Sequence, residues 1–206
     1  HPGTRIVLPI QQHTKQTATV WETVQSLDSL VLLFLRQLRV LTVARDDGDV
    51  DSQVPTEQQP LYRRVIQKEG SQPDIIIRDK RSGKSPSEQV TAFKVFRHTS
   101  LIPASVMDAT PSRQQGSAVT EIACAFPLAA DGSADASTVH KLFVFLPTRA
   151  YGLRFPLHAE FALPASREEV LREGTWNLWL ARQAVVDAFV AAVEQTFLTA
   201  DQPLRT

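Results

Sequence analysis

The residue whose chemistry stands out in this sequence is Arg167, in the segment LPASREEV at 163–170. The segment follows a predicted strand and precedes a predicted helix, because Ser166 and Glu169 match the S-x-x-E capping box of a helix start. An arginine at such a junction is well placed to meet a phosphate, since its planar fork matches phosphate oxygens and stays charged. The alternative is that Arg167 and Glu168 are ordinary exposed residues of a first helical turn.

Other signatures of catalysis are missing: the sequence has no P-loop, H-E-x-x-H, C-x-x-C or G-x-S-x-G motif. The histidines show no ligand spacing, and Cys124 lies in an apolar strand, where it is expected to be a small buried residue. The acidic run at 47–51 alternates like a calcium loop, but Ser52 stands where an EF-hand needs glycine and Gln58 where it needs glutamate. We therefore interpret the run as a solvated loop and expect no metal site and no cofactor in this chain.

Composition sets further bounds. The chain has 206 residues, is 43% hydrophobic, and carries 22 basic and 22 acidic residues. It can bury a core, and its balanced charge argues against nucleic-acid binding. The apolar run 30–35 is too short to span a membrane. A single cysteine excludes an internal disulfide framework and suggests a reducing compartment, so we expect an intracellular protein, cytoplasmic or nuclear. The opening His-Pro-Gly suggests a segment of a longer protein.

Hydrophobic periodicity in the first half predicts a strand at 4–10 and a helix at 19–38 that breaks near Ser26–Ser29. It then predicts a strand at 39–44 and a mobile loop near 45–60. A hairpin is expected from strands at 62–67 and 74–78.

In the second half, alternation predicts strands at 89–97, 119–126, 141–146 and 153–163, the last three forming a meander. Helix is expected from Ser166, with an amphipathic stripe at 176–198 that places Trp179, Phe189 and Val193 in the core. Strands followed by helices indicate an α+β fold: a mixed, largely antiparallel sheet with helices on one face.

Several short segments also occur in a particular order along the chain. They are GTRIVL at 3–8, LLFLRQL at 32–38, FLPTRAYG at 145–152, FALPASREEV at 161–170 and WNLWL at 176–180. Their order and spacing resemble the segment that follows the GHKL ATPase domain in sacsin and NO VEIN-type proteins. The matching order spans most of the chain, leaving the loops at 45–60 and 79–88 unmatched.

The resemblance implies a fold like the middle domain of GHKL chaperones and a role for the Ser166-Arg167-Glu168 turn. In the ninety-kilodalton heat-shock proteins of this class, the arginine of a matching Ser-Arg-Glu reaches the γ-phosphate of ATP. By this resemblance Arg167 is the candidate phosphate-contacting arginine, Glu168 its possible orienter, and Thr4 a residue near the adenine. Residues 1–10 are then the last strand of an upstream ATPase-type domain, or an edge strand, and 11–206 a middle-domain-like unit.

The departures from the family pattern limit the activity expected of this chain by itself. The catalytic acid and Asn of the ATPase domain and its adenine-binding Asp-x-Gly-x-Gly box are absent, so ATP and Mg²⁺ are expected only in the parent protein. The isolated chain is not expected to be an enzyme, although the parent protein would be an ATPase. The expected function is to couple the ATP state of the upstream domain to conformational change or client binding, with a client protein or self-association as further partners. The alternative is a non-catalytic interaction or scaffold module.

Overall fold

The computed structural model describes residue 4 and residues 22–45, 62–83, 85–110, 117–167 and 169–195. The predicted strand beyond Thr4, nearly all of the loop predicted near 45–60, and Glu168 lie outside the described residues. The division between 1–10 and 11–206 therefore stays a prediction.

One eight-stranded sheet forms the frame of the described structure, in the order β1-β2-β3-β4-β5-β8-β6-β7. Neighbouring strands are antiparallel except β6 and β8, which run parallel. With helices packed against this sheet, the α+β prediction is confirmed. The strands are β1 Val40–Arg45, β2 Tyr62–Ser71, β3 Asp74–Ser82, β4 Ser87–Leu101, β5 Val119–Leu128, β6 Lys141–Val144, β7 Leu146–Ala150 and β8 Leu157–His158.

The predicted hairpin is confirmed and is longer than its apolar pattern indicated. Strands β2 and β3 pair from Arg63↔Ser82 to Ser71↔Asp74, so the ladder continues through charged residues. Gly70 has φ 83°, and a Cβ there would lie 2.4 Å from the Asp74 carbonyl oxygen. The end of the hairpin therefore requires glycine at this position.

The predicted three-strand meander is wrong in its topology. β6 ends at Val144 because Phe145 adopts φ 62° and reverses the chain into β7, a strand that was not predicted. The strand expected at 153–163 is reduced to β8, which inserts between β5 and β6. Two residues of β8 are enough because its Leu157 and His158 each pair on both sides.

A long helix covers one face of the sheet. It consists of α2 Thr175–Trp179, a π-helical segment Leu180–Ala184 and α3 Val185–Val193, while the short α1 Ala104–Asp108 precedes β5. The helix buries Trp176, Trp179 and Leu180 against a core that includes strand residues Ile122, Cys124 and Phe126.

The predicted core positions of this helix are partly wrong. Trp179 is buried as expected and Val193 packs partly buried against the core, but Phe189 is 38% exposed. The buried line continues instead through Ala184, Ala188 and Ala192. Alanines let the helix backbone approach the sheet closely, which leaves the larger side chains at the flanks of the contact.

The opposite face of the sheet is covered by the chain before β1. A 3₁₀ helix at Ser29–Leu32 begins at Asp28, whose side chain accepts a hydrogen bond from the Leu30 N–H at 2.9 Å. The predicted break is thereby confirmed, whereas a helix continuing to residue 38 is wrong. The buried residues 31–34 are consecutive, whereas a helix would bury every third or fourth residue. This part of the core is therefore covered by an irregular segment.

Candidate functional site

Arg167 lines an open cleft of about 540 Å³ at the end of the sheet near β6, here called the Arg167 cleft. Apolar side chains and two charged ones form its walls. They include Val144, Phe145, Glu160, Phe161, Leu163 and Arg167. The cleft therefore presents one cation and one anion among apolar side chains.

Arg167 does not start a helix, so the predicted capping box of Ser166 and Glu169 is wrong. Residues 165–166 form a turn, and the Arg167 N–H donates to the Pro164 carbonyl oxygen at 3.0 Å. Arg167 itself adopts φ 58°, in the left-handed region, and the next helix begins only at Thr175. A left-handed residue cannot continue into a first helical turn, which explains the failure of the sequence pattern.

The loop that carries Arg167 is closed at its base by Asn177. The Asn177 side chain accepts a hydrogen bond from the Ala162 N–H at 2.8 Å and donates to the carbonyl oxygens of Ala162 and Leu171 at 2.9 and 2.7 Å. The Leu171 N–H also donates to the Ala162 carbonyl oxygen at 3.2 Å. Asn177 is buried, so these bonds replace water and hold both ends of the loop together.

Two further contacts tie the second half of this loop to the region around β7. The Val170 N–H donates to the Tyr151 hydroxyl at 2.7 Å, and Arg149 forms an ion pair with Glu169 at 3.3 Å. The ion pair is exposed and adds little stability, but the hydroxyl bond fixes the backbone.

The guanidinium of Arg167 is exposed, and no residue of the described ranges provides it with a hydrogen-bond or ion-pair partner. Its donors therefore remain free for an external anion. Phe145, on the other wall, is the second non-glycine residue with positive φ in the described structure. Strained backbone of this kind persists only where its surroundings hold it, and it concentrates at functional sites.

His158 supports Phe145 from beneath the cleft. Its Nδ1 lies 3.3 Å from the Phe145 nitrogen and 3.2 Å from the Phe143 carbonyl oxygen, and its ring is 5.0 Å from the Phe145 ring. The neutral tautomer with Nδ1 unprotonated accepts from Phe145, whereas protonated Nδ1 donates to Phe143. Burial lowers the pKa of His158, so the neutral ring is favoured.

The three predicted site residues have different outcomes. Arg167 lines the cleft, Glu168 is outside the described residues, and Thr4 is exposed with undescribed neighbours on both sides. Sequence reasoning missed Asn177 as the residue that closes the Arg167 loop. The sequence feature that could have identified Asn177 is its position between Trp176 and Trp179, where a polar residue falls on the apolar side of the helix.

The cysteine and the groups that could ligate a metal were the other candidates for reactive chemistry in the sequence. Burial raises the pKa of the Cys124 thiol to about 12, which confirms it as an inert core residue. Within the described part of the chain, no group of three or more His, Cys, Asp or Glu side chains is arranged to hold a metal ion. Nor does any helix there have the length and apolar character needed to cross a membrane.

Comparison with curated proteins finds a partial similarity. Protein NO VEIN from Arabidopsis thaliana is 41% identical over 64 residues, which is 30% of this chain and 2% of that protein. No protein-family model and no solved structure matches the chain. The similarity therefore relates part of this chain to a short stretch of Protein NO VEIN of Arabidopsis thaliana.

Proposed function

We propose that this chain is a middle-domain-like segment of a NO VEIN- or sacsin-like GHKL protein. In that role it couples the ATP state of a neighbouring domain to conformational change or client binding. The observation that carries the proposal is Arg167, an exposed arginine with left-handed backbone on a loop closed by Asn177. The partial similarity to Protein NO VEIN supports the same assignment.

Coupling requires contacts that differ between the ATP and ADP states of the neighbour. A γ-phosphate is present in only one of these states, and the forked donors of Arg167 suit its oxygens. ATP and Mg²⁺ belong to the neighbouring domain, where Arg167 stabilises charge developing on the phosphate. In this proposal Glu168 orients Arg167 and Thr4 lies near the adenine. We place the parent protein in the cytoplasm or nucleus.

The test is ATP turnover in the protein that contains both domains. Arg167→Ala is expected to lower kcat by about tenfold or more, because a charge-stabilising donor is lost. Arg167→Lys is expected to recover little, since a single ammonium cannot make a two-point contact.

Arg172→Ala is the matched control, because it removes an exposed arginine from the same connection, outside the Arg167 cleft. The proposal requires that all variants keep the wild-type melting temperature and that only the Arg167 variants lose ATP turnover. Equal turnover in wild type and Arg167→Ala would contradict it, and a matching loss of stability would make Arg167 structural.

A second candidate function, an interaction or scaffold module, is favoured by exposed apolar side chains along the long helix. Four large apolar side chains there are 38–48% exposed. They are Leu178, Val186, Phe189 and Val190. Sedimentation equilibrium of wild type and Val190→Glu tests self-association through these side chains. Association lost in Val190→Glu, together with no effect of Arg167→Ala on turnover, would favour this function.

A further inference from the structure

A second cleft, distinct from the Arg167 cleft, lies beside the irregular segment that follows the 3₁₀ helix. It has a volume of about 410 Å³ and is here called the Lys68 cleft. Its charged lining consists of Arg36, Arg39, Lys68, Arg97 and Glu121. Four cations face one carboxylate, which leaves three positive charges uncompensated among the described lining residues.

The single carboxylate among the described lining residues binds two of the four cations. Arg36 binds Glu121 Oε2 at 2.9 Å through its NH2 group, and Arg97 binds Glu121 Oε1 through its NH1 group. Both Glu121 oxygens are therefore engaged by Arg36 and Arg97, and neither binds Arg39 or Lys68 in the described structure. Glu121 orients the two arginines and leaves their remaining N–H groups available.

Within the described part of the chain, Arg39 and Lys68 bind only backbone carbonyl oxygens. Arg39 NH1 donates to Gly70 at 2.8 Å, and Lys68 Nζ donates to Leu35. An ammonium has three donors and a guanidinium five, so most of their hydrogen-bonding capacity remains open. Both side chains are anchored in place without being neutralised.

Lys68 is the unusual member of this set, because it is only 7% exposed. Burial and the nearby charges of Arg39 and Arg97 lower its pKa. A buried cation beside other cations costs stability, and an anion bound among them would replace this repulsion with attraction. The arrangement is therefore suited to a negatively charged ligand.

We propose that the Lys68 cleft binds the phosphate group of a small phosphomonoester. The three uncompensated positive charges exceed what a singly charged anion neutralises and accommodate a dianionic phosphate group. The donors approach from three places in the chain: Arg39 ahead of β1, Lys68 on β2 and Arg97 on β4. Such convergent donors suit a tetrahedral group with several acceptor oxygens.

The lining also indicates where the ester's organic part would lie. Apolar Leu33, Leu35 and Ile75 flank the cations, whereas Ser71 and Gln72 provide neutral polar groups from the β2–β3 turn. The apolar wall strengthens the charge contacts by keeping water away from one side. This site uses none of the residues that line the Arg167 cleft, so it stands independently of the proposed function.

The test is calorimetric titration of the full chain at constant ionic strength. Glycerol phosphate is compared with inorganic phosphate, sulfate and malonate. We expect saturable binding of glycerol phosphate, at least as tight as that of inorganic phosphate and tighter than that of malonate. Arg39→Gln should weaken it by about tenfold or more, because a charge-assisted hydrogen bond is lost. Arg172→Gln, which removes the same charge outside the cleft, should leave it unchanged.

Lys68→Met checks the buried cation, and the melting temperature shows whether this variant folds. Where it folds, we expect it to lose binding; where it does not, Arg39→Gln decides the question because Arg39 is an exposed anchor. No saturable binding of glycerol phosphate, equal binding by Arg39→Gln, or tighter binding of malonate would overturn the proposal. Tight binding of inorganic phosphate without glycerol phosphate would overturn the ester assignment.

Discussion

Arg64 and Asp79 form a two-point ion pair inside the protein, diagonally across β2 and β3. Nε and NH2 of Arg64 bind the two Asp79 oxygens at 3.0 and 2.8 Å, and both side chains are at least 96% buried. The same guanidinium donates to the carbonyl oxygens of Gln25 and Leu27 at 3.1 and 2.7 Å. One arginine therefore fastens the segment before the 3₁₀ helix to the sheet.

We predict that Arg64→Met lowers the free energy of unfolding by about 3–5 kcal/mol, because it leaves a buried carboxylate and two carbonyl groups poorly satisfied. Urea denaturation measures the change. Arg78→Met is the matched control on the same hairpin, since Arg78 pairs with Glu69 at 3.0 Å and Glu88 at 3.6 Å near the surface. The control should lose at most about 1 kcal/mol. Equal losses of stability in the two variants would show that burial does not make the Arg64–Asp79 pair more important than an exposed one.

The pH dependence of stability should report His158. Its pKa is lowered from 6.5 chiefly by burial, with Arg97 lowering it further and the Phe143 carbonyl, Glu121 and Glu160 opposing. Above pH 6.5 the ring is neutral in both the folded and the unfolded chain, so the contribution of His158 to the free energy of unfolding is fully present. As the pH falls below 6.5, the histidine binds a proton in the unfolded chain before it does in the folded chain. The free energy of unfolding therefore decreases until the pH is below the pKa of the folded state.

Urea midpoints measured from pH 8 to about pH 5 should therefore fall less in His158→Gln than in wild type. His140 is the matched comparison, since burial also lowers its pKa while Asp28 and Asp135 oppose the shift. His140→Gln should remove a smaller part of the slope, because this ring is less buried. An unchanged slope in His158→Gln would refute the prediction.

The Arg167 loop should depend on Asn177. Asn177→Leu is expected to lower the free energy of unfolding by about 1–3 kcal/mol, because three backbone groups lose a hydrogen bond to this side chain. Limited proteolysis should then cleave within 162–171 faster than in wild type. Asn177→Asp keeps the acceptor for the Ala162 N–H and removes both donated bonds, so it separates the two contributions. Wild-type cleavage rates in both variants would show that the loop is closed by other contacts.

The long helix gives a prediction that differs from its sequence pattern. Phe189→Ala should cost about 1–2 kcal/mol, below the 3–5 of a fully buried phenylalanine, because its ring is 38% exposed although it stacks on Phe155 and lies tilted against Phe126. Ala188→Leu should cost more than Phe189→Ala, because it forces a large side chain between helix and sheet. Thermal or urea unfolding measures both. A larger loss in Phe189→Ala than in Ala188→Leu would place the phenylalanine in the core.

The sequence by itself determined the elements whose patterns are local. The apolar run at Ile75–Ile77 and the alternating residues around Phe93 predicted strands, Asp28 predicted a cap, and the apolar spacing after Thr175 predicted a helix. Each of these depends on contacts within a few residues or on one buried face, so periodicity and capping chemistry were enough to predict it. Arg167 is a different case: its residue type at a predicted strand-to-helix junction and the family resemblance made it a candidate for phosphate contact, and that role stays a prediction.

Only the tertiary structure decided what those elements pack against. The Ser166 capping box gave way to a loop because Asn177 binds its two ends and Arg167 adopts a left-handed backbone. The two-residue β8 gained its place from partners on either side, and Arg64 found Asp79 fifteen residues away. Such contacts join distant parts of the chain, so they cannot be predicted from local propensity. They also determine which groups provide hydrogen bonds to the buried polar side chains.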